Sequence, residues 1–250
     1  MVIGALRCSV GGSERGARNG LKEVPQLLKD TFMAGGDMFA KQFHMGGDRN
    51  FGYLVADERT RKAAVVDPSF SPETIVEFAR ENQYEIVYVF NTHAHYDHSN
   101  GNRVMETLTG RSPLLIGSTD PGSGIVVTHG ARFSLGDLEI EVIHTPGHTE
   151  DSICILVGDT LFSGDTLFVG KVGGTDFGES ARAEYESLHQ KLLTLPDDTR
   201  VFPGHDYGTA PESTIGQERR TNPFLVQPDF EAFVHLKRNW LAYKAEYGIA

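Results

Sequence analysis

The hydrophobic positions follow two periods along the chain, one typical of strands and one typical of helices. The run from Leu138 to Val142 alternates apolar residues with two glutamates, which is typical of a strand with one face in water. The pattern predicts seven strands, at 51–55, 63–66, 85–90, 138–142, 153–157, 160–163 and 200–202. It also predicts four helices: one that begins near 72, one at 99–109, one at 181–195 and one that begins near 230. Strand and helix alternation in two similar halves favours an α/β fold with sheets sandwiched between helices.

Turn residues support several of these boundaries. The charged segment 57–62 separates the first two strands and predicts a hairpin. Gly158-Asp159 is a strong hairpin signal between the strands at 153–157 and 160–163. Ser71-Pro72-Glu73 supplies an N-cap residue, a first-turn proline and a first-turn acid, and so predicts a helix start.

The two ends of the chain differ from its middle. Residues 1–37 are rich in Gly, Arg and Ser and show little periodicity, so we expect a flexible N-terminal extension without a secretory signal. Residues 38–250 then form one domain with a short C-terminal helical tail. The tail carries an apolar stripe that predicts core packing: Phe230, Phe233, Val234, Trp240 and Leu241. Its basic residues can attract an anionic thiol conjugate, although a solvated helix face is the better interpretation: Arg219, Arg220, Lys237 and Arg238.

Composition narrows the class of protein. The chain has 250 residues, 39% of them hydrophobic, and a formal net charge of −11, with no stripe of Lys and Arg, so nucleic acid is not an expected partner. No apolar stretch approaches the length of a transmembrane helix, so we expect no membrane partner. The two cysteines, Cys8 and Cys154, cannot form a disulfide framework, which favours a reducing, cytoplasmic location. The oligomeric state is left open.

One short segment carries the sharpest chemical signal. His93, His95, Asp97 and His98 fall within six residues at the end of an apolar run. Imidazoles and carboxylates are the usual nitrogen and oxygen ligands of divalent metals. The alternative interpretation is a polar surface loop.

Three further positions share the setting of that segment. His148, Asp165 and His205 each follow a glycine at the end of a predicted strand, where the backbone can turn tightly. Together with the cluster they make five histidines and two aspartates, which is enough for two metal ions bridged by one carboxylate.

The order of these residues resembles the metallo-β-lactamase superfamily. The resemblance covers the chain from about Met38 and implies an αββα sandwich. It implies that His93, His95 and His148 hold one metal ion, that Asp97, His98 and His205 hold the second, and that Asp165 bridges them. It also places Asp97 in the catalytic centre and Asp67 behind a ligand imidazole, with a simple loop-capping role as the alternative for Asp67.

Within the superfamily two branches match equally. Gly164–Phe168 and Pro203–Tyr207 resemble both the glyoxalase II enzymes (hydroxyacylglutathione hydrolases) and the persulfide dioxygenases. Tyr207 matches a tyrosine that contacts glutathione in glyoxalase II, and a packing role is the alternative. The basic and aromatic residues that glyoxalase II carries after its bridging aspartate are not matched, because Gly174 and Asp176 occupy those positions.

The resemblance implies two kinds of chemistry. Two divalent ions (Zn, Fe or Mn) activate a hydroxide that attacks a thioester carbonyl, and the leaving thiolate, with a pKa of about 8.5, needs no dedicated acid. We therefore predict a thioester hydrolase acting on a small thiol conjugate, for which a glutathione derivative is the candidate. The alternative is a persulfide dioxygenase with one Fe(II) on His93, His148 and Asp165. A non-catalytic metal-binding module is a minor third alternative.

Overall fold

The first sheet begins close to the predicted domain start. The computed structural model describes residue 1, residues 32–34 and residues 38–248. Five strands hydrogen-bond in chain order: β1 (Phe32–Ala34), β2 (Met38–Gly46), β3 (Asn50–Asp57), β4 (Lys62–Val66) and β5 (Glu85–Phe90). The predicted hairpin between β3 and β4 is confirmed by their antiparallel pairing. Because β1 pairs with β2, residues 32–34 of the predicted extension lie in this sheet. The flexibility predicted for residues 2–31 and 35–37 lies outside the described residues.

Helices cover the outer face of this sheet. α1 (Pro72–Glu81) connects β4 to β5, which run parallel, and begins at the predicted residue, although the Ser71 side chain makes no capping hydrogen bond. The helix predicted over 99–109 is two helices, α2 (Tyr96–Ser99) and α3 (Asn102–Thr109). Gly110 ends α3 in the left-handed conformation, as its position predicts.

The second sheet contains six strands in the order β13-β12-β9-β8-β7-β6. Their bounds are β6 (Arg132–Leu135), β7 (Leu138–His144), β8 (Ile153–Val157), β9 (Thr160–Gly164), β12 (Arg200–Pro203) and β13 (Ser213–Thr214). The predicted hairpin around Gly158-Asp159 is confirmed by the pairing of β8 with β9. A separate two-stranded sheet joins β10 (Leu167–Phe168) to β11 (Lys171–Val172).

The outer face of the second sheet is also covered by helices. They are α4 (Glu179–Gln190), followed by a 3₁₀ turn at Leu192–Thr194, then α5 (Ile215–Thr221), α6 (Phe230–Arg238) and α7 (Trp240–Tyr247). The predicted continuous C-terminal stripe is wrong at Leu241, which is 82% exposed. The reason is that α6 ends at Arg238 and its C-cap residue Asn239 (φ −107°, ψ 16°) interrupts the helix, so α7 begins with a different rotation and the helical register is lost.

Three hydrophobic clusters hold these layers together. The central cluster lies between the sheets and joins residues of both, such as Tyr53 and Phe90 of the first with Phe133 and Phe162 of the second. The other two lie between each sheet and its helices. This arrangement confirms the αββα sandwich.

The ends of several strands meet at one edge of the sandwich. β4 and β5 run parallel to each other, as do β9 and β12, and β7 shares the direction of β9 because β8 is antiparallel to both. The residues that follow these strands therefore gather at that edge: Asp67, His93, His148, Asp165 and His205.

Candidate metal centre

Three histidines converge first. Nε2 of His93 lies 3.0 Å from Nδ1 of His95, which in turn lies 3.1 Å from Nε2 of His148. One ligand atom from each residue lies within 4.8 Å of the other two. This is a nitrogen trio of the kind that binds one divalent ion.

A second trio combines one carboxylate with two imidazoles. Nε2 of His98 lies 3.2 Å from Nε2 of His205, and Oδ2 of Asp97 lies 3.4 Å from the same His205 nitrogen. These three residues also satisfy the 4.8 Å criterion. They are the residues that the sequence assigned to a second metal ion.

Asp165 lies between the two trios. Its Oδ1 is 3.3 Å from Nε2 of His98, while its Oδ2 is 3.4 Å from Nε2 of His205 and 3.6 Å from Nε2 of His148. The carboxylate thus faces ligands of both trios. All seven sequence-predicted donors are brought together, and their individual roles as ligands remain predictions.

Hydrogen bonds on the side away from the centre hold four of the candidate imidazoles. Four Nδ1 atoms each have a hydrogen-bond partner: Thr92 Oγ1 for His93, Asp67 Oδ2 for His98, the Gly174 carbonyl for His148 and the Asp48 carbonyl for His205. A carbonyl or carboxylate can only accept, so Nδ1 donates in His98, His148 and His205 and Nε2 keeps its lone pair for a ligand.

Asp67 has more partners than a loop-capping residue needs. It is 1% exposed, and its carboxylate accepts from the Thr92 amide (2.8 Å), the Thr92 hydroxyl (2.7 Å) and His98 Nδ1 (3.0 Å). Its position behind His98 agrees with the predicted orienting role.

The donor set fits a bound divalent cation. Oδ1 of Asp165 is buried and, among the described residues, has no hydrogen-bond donor in suitable geometry. Burying a carboxylate oxygen without a partner is costly, and a cation supplies the missing charge and contact. The chain's His and Asp cluster is therefore able to bind metal.

The charges of the groups follow from burial and from one another. Burial, with the neighbouring His98, lowers the pKa of His93 to about 4. Burial opposes ionisation of Asp97 and Asp165, but the hydrogen bond from Asn50 to Asp97 and the imidazoles of His205 and His98 beside Asp165 outweigh it. The pKa of Asp97 is lowered, and that of Asp165 lies well below its usual range.

Sequence reasoning missed several residues that shape the centre. Asn50 is fully buried and donates to Oδ2 of Asp97 at 3.0 Å. Asp48 and Gly174 act through backbone carbonyls, which side-chain patterns cannot reveal. Gly204 allows the backbone to lie close to Asp165, because a Cβ at this position would be 2.3 Å from Oδ1 of Asp165.

A cavity of about 770 Å³ adjoins the centre at Tyr207. Its wall includes three basic side chains, Arg49, Lys171 and Lys244, together with Trp240. The guanidinium carbon of Arg49 and Nζ of Lys171 lie 4.9 and 4.6 Å from the Tyr207 ring centre. The segment around Lys171 contributes β11 to this wall.

Tyr207 takes the packing role that the sequence left as one alternative. Its ring stacks on the His205 imidazole with centroids 4.6 Å apart and planes 7° apart, and its hydroxyl donates to Oδ2 of Asp48 at 2.6 Å. It therefore packs against a metal-ligand candidate and also lines the cavity. Contact with a substrate stays a prediction.

Comparison with known proteins identifies the family. The model of the metallo-beta-lactamase superfamily matches residues 45–113 and 105–205, a region that contains all seven donors. The chain belongs to the metallo-β-lactamase superfamily and, on this basis, is an enzyme of that superfamily. None of the described helices has the length and apolar character needed to cross a membrane.

Its relatives fall into both predicted branches. The chain is 31% identical over 218 residues to the probable hydroxyacylglutathione hydrolase glo2 of Schizosaccharomyces pombe, covering 72% of this chain and 84% of that protein. It is 29% identical over 224 residues to the human mitochondrial persulfide dioxygenase ETHE1, covering 88% of each. The crystal structure of ETHE1 from Myxococcus xanthus is similar with a TM-score of 0.73 and 34% identity, covering 80% of this chain and 90% of that one. The superfamily is shown, whereas these similarities do not distinguish the two activities.

Proposed function

We propose that the chain is a metal-dependent hydrolase of thioesters, similar to the hydroxyacylglutathione hydrolases. The observation that carries the proposal is the presence of two complete donor trios joined by Asp165. Two bound divalent ions (Zn, Fe or Mn) lower the pKa of a shared water and polarise a carbonyl, which is the activation that thioester hydrolysis needs.

The residues of the chain take distinct parts in this proposal. His93, His95 and His148 hold one ion, and Asp97, His98 and His205 hold the other. Asp97 also has a catalytic part, because its ionised carboxylate, fixed by Asn50, orients the attacking water. Asp67 fixes His98 with Nε2 directed into the centre.

The cavity supports an anionic substrate. Arg49, Lys171 and Lys244 outnumber the two carboxylates, Asp48 and Glu218, along a wall that begins beside His205, in a chain whose net charge is −11. Such a wall attracts a thiol conjugate that bears carboxylates, and a glutathione-derived thioester has that chemistry. Tyr207 supplies an aromatic surface between the cations and the metal centre.

The leaving group needs little help from the protein. A thiolate with a pKa of about 8.5 departs without a dedicated acid. Cys154 is fully buried, and burial raises the pKa of its thiol to about 11, which excludes it as a nucleophile in the folded state. The low cysteine content is also the basis for expecting a cytoplasmic location, which stays a prediction.

A persulfide dioxygenase is the second candidate. The observation that favours it is the similarity to human and bacterial ETHE1 proteins along nearly their whole length. In this alternative one Fe(II) is held by His93, His148 and Asp165, and a glutathione persulfide occupies the same cavity.

The test is a paired assay on protein loaded with zinc, manganese or, without air, Fe(II). Release of free thiol from lactoylglutathione without oxygen uptake supports hydrolysis. The hydrolase proposal is refuted if glutathione persulfide causes oxygen uptake and the thioester releases no thiol with any of the metals. Metal content is measured in parallel, and fewer than one ion per chain refutes both.

His95→Ala and His148→Ala sharpen this comparison. His148 belongs to the donor set of both candidates, so His148→Ala is expected to abolish either activity. His95 belongs only to the two-metal set, so His95→Ala is expected to abolish hydrolysis alone. Thioester hydrolysis that survives in His95→Ala contradicts the two-metal assignment.

A further inference from the structure

A buried ion pair joins the C-terminal helix α6 to α4 behind the metal centre. The side chain of Lys237 on α6 is 6% exposed and that of Glu184 on α4 is 1% exposed, and Nζ of Lys237 contacts Oε2 of Glu184. Two buried charges cost free energy unless other contacts compensate them. The pair therefore requires an explanation beyond helix packing.

The ammonium group of Lys237 has three acceptors in all. Besides Glu184, it donates to the backbone carbonyl of Gly173 at 2.7 Å and to Oγ1 of Thr175 at 3.0 Å. Two of its hydrogen bonds go to the residues on either side of Gly174, and the Glu184 carboxylate is its ion-pair partner. Lys237 fixes the segment 173–175 from within the fold.

That segment touches His148 directly. The carbonyl of Gly174 accepts the hydrogen bond from Nδ1 of His148 at 2.8 Å, which leaves Nε2 for the metal centre. A Cβ at Gly173 would lie 2.2 Å from the Asp165 carbonyl and 2.9 Å from Cβ of His148, so the segment is wedged between two ligand candidates. A shift of this backbone moves the acceptor that sets the His148 ring.

The helix that carries Glu184 packs on the loop before the same histidine. A Cβ at Gly147 would lie 2.3 Å from Cβ of Glu184, so the residue before His148 packs directly on α4. Ser187, one helical turn later, donates to the carbonyl of Pro146 at 2.8 Å. Helix α4 therefore packs on the loop before His148, and its partner Lys237 holds the segment that carries the Nδ1 acceptor.

We propose that Lys237, with Glu184 as its counter-ion, is a positioning residue for His148 that acts through the backbone of residues 173–175. The proposal rests on the metal centre of the proposed function, but not on which reaction the centre catalyses. A Lys-to-Glu contact fixes one relative placement of α6, α4 and the 173–175 segment, whereas an apolar contact tolerates several.

The decisive variants keep the fold while removing the charges. Lys237→Met leaves Glu184 buried without a partner, so it can lose stability for that reason alone. The double variant Lys237→Met/Glu184→Leu replaces the pair by apolar side chains and removes that penalty. Arg238→Met is the matched control, because it removes a positive charge from an exposed position next along α6.

The measurements are Co(II) affinity of the metal-free protein, the Co(II) absorption spectrum and amide hydrogen exchange at residues 173–176. In the double variant we expect one Co(II) ion to bind about 10- to 100-fold more weakly, with a changed spectrum and faster exchange at those amides. Arg238→Met is expected to match the wild type in all three. Wild-type affinity and spectrum in the double variant overturn the proposal. Absence of thioester hydrolysis in the wild type refutes only the proposed function, since these readouts need no substrate.

Discussion

Replacing Asp67 by asparagine tests whether the residue behind His98 controls metal binding. The substitution keeps the size of the side chain but exchanges one acceptor oxygen for an NH2 group. The amide oxygen can keep the bond from the Thr92 amide, and the Thr92 hydroxyl can rotate to accept from the new NH2 group. His98 has no such freedom, because an Nδ1–H cannot face an NH2 donor. The imidazole must then carry its proton on Nε2, the atom directed into the metal centre.

The expected loss follows from this change of tautomer. Removal of a hydrogen-bond partner behind a metal-bound histidine weakens metal binding about 10- to 100-fold, or about 1.4 to 2.8 kcal/mol. Asp57→Asn is the matched control. Asp57 is also fully buried and accepts four hydrogen bonds, from Arg59, Thr60 and Asp137, but it lies at the opposite end of β3 from Asn50. Asp57→Asn is expected to lower the free energy of unfolding without weakening metal binding.

The assay is competition for zinc between metal-free protein and a chromophoric chelator, with urea unfolding of the same samples. We expect weaker binding of one zinc ion in Asp67→Asn only, and a loss of stability in both variants. If Asp67→Asn binds both zinc ions within twofold of the wild type, the orienting role is wrong and Asp67 is a structural cap. Equal loss of zinc in both variants also contradicts it, because the effect then follows from stability.

Three further outcomes follow from the structure. Gly204→Ala places a Cβ 2.3 Å from Oδ1 of Asp165. Metal content after dialysis and thioester activity should therefore fall at least about tenfold, while the circular dichroism spectrum stays unchanged. Full metal content in this variant contradicts the prediction. Lys171→Met should raise KM for an anionic glutathione thioester about fivefold, which corresponds to about 1 kcal/mol, and by less at high salt. KM for a neutral thioester should not change, and an equal change for both substrates contradicts the cationic wall. Burial opposes ionisation of Asp57, but its hydrogen bonds lower its pKa to about 2. The stability that the ionised carboxylate gives the folded protein is therefore complete above about pH 4 and is lost as the pH falls towards 2. The stability difference between wild type and Asp57→Asn should therefore shrink over that interval in urea unfolding, and a constant difference contradicts the assignment.

The donors of the candidate centre were predictable because their chemistry is local. His93 to His98 form an unusual cluster in six residues, and His148, Asp165 and His205 each end a strand whose pattern is visible. Parallel strand directions then bring these ends to one edge of the sandwich, which the α/β alternation already implied. The hairpins were predictable for the same reason, since each depends on a turn of a few residues.

Residues that act through tertiary contacts were not predictable in the same way. Lys237 was expected on a solvated helix face, but it is buried against Glu184 and the 173–175 segment. A partial signal existed, because Lys237 lies four residues after Phe233 and three after Val234 and so shares the face of these core positions. Its partner lies 53 residues earlier in the chain, and no local pattern connects the two.

The balance of charge links the number of metal ions to the reaction. Three carboxylates, Asp67, Asp97 and Asp165, face the centre or its ligands and together carry a charge of −3. Two divalent ions with a bound hydroxide leave this group neutral, whereas one ion with a hydroxide leaves it at −2. Hydrolysis of a thioester develops negative charge on the carbonyl oxygen, which a centre with a charge of −2 opposes far more than a neutral one. The basic cavity wall is common to both candidate substrates and cannot compensate at the reacting atom. Hydrolytic activity should therefore rise with the second ion bound per chain rather than with the first, and a titration in which it is complete at one ion per chain contradicts the two-metal hydrolase.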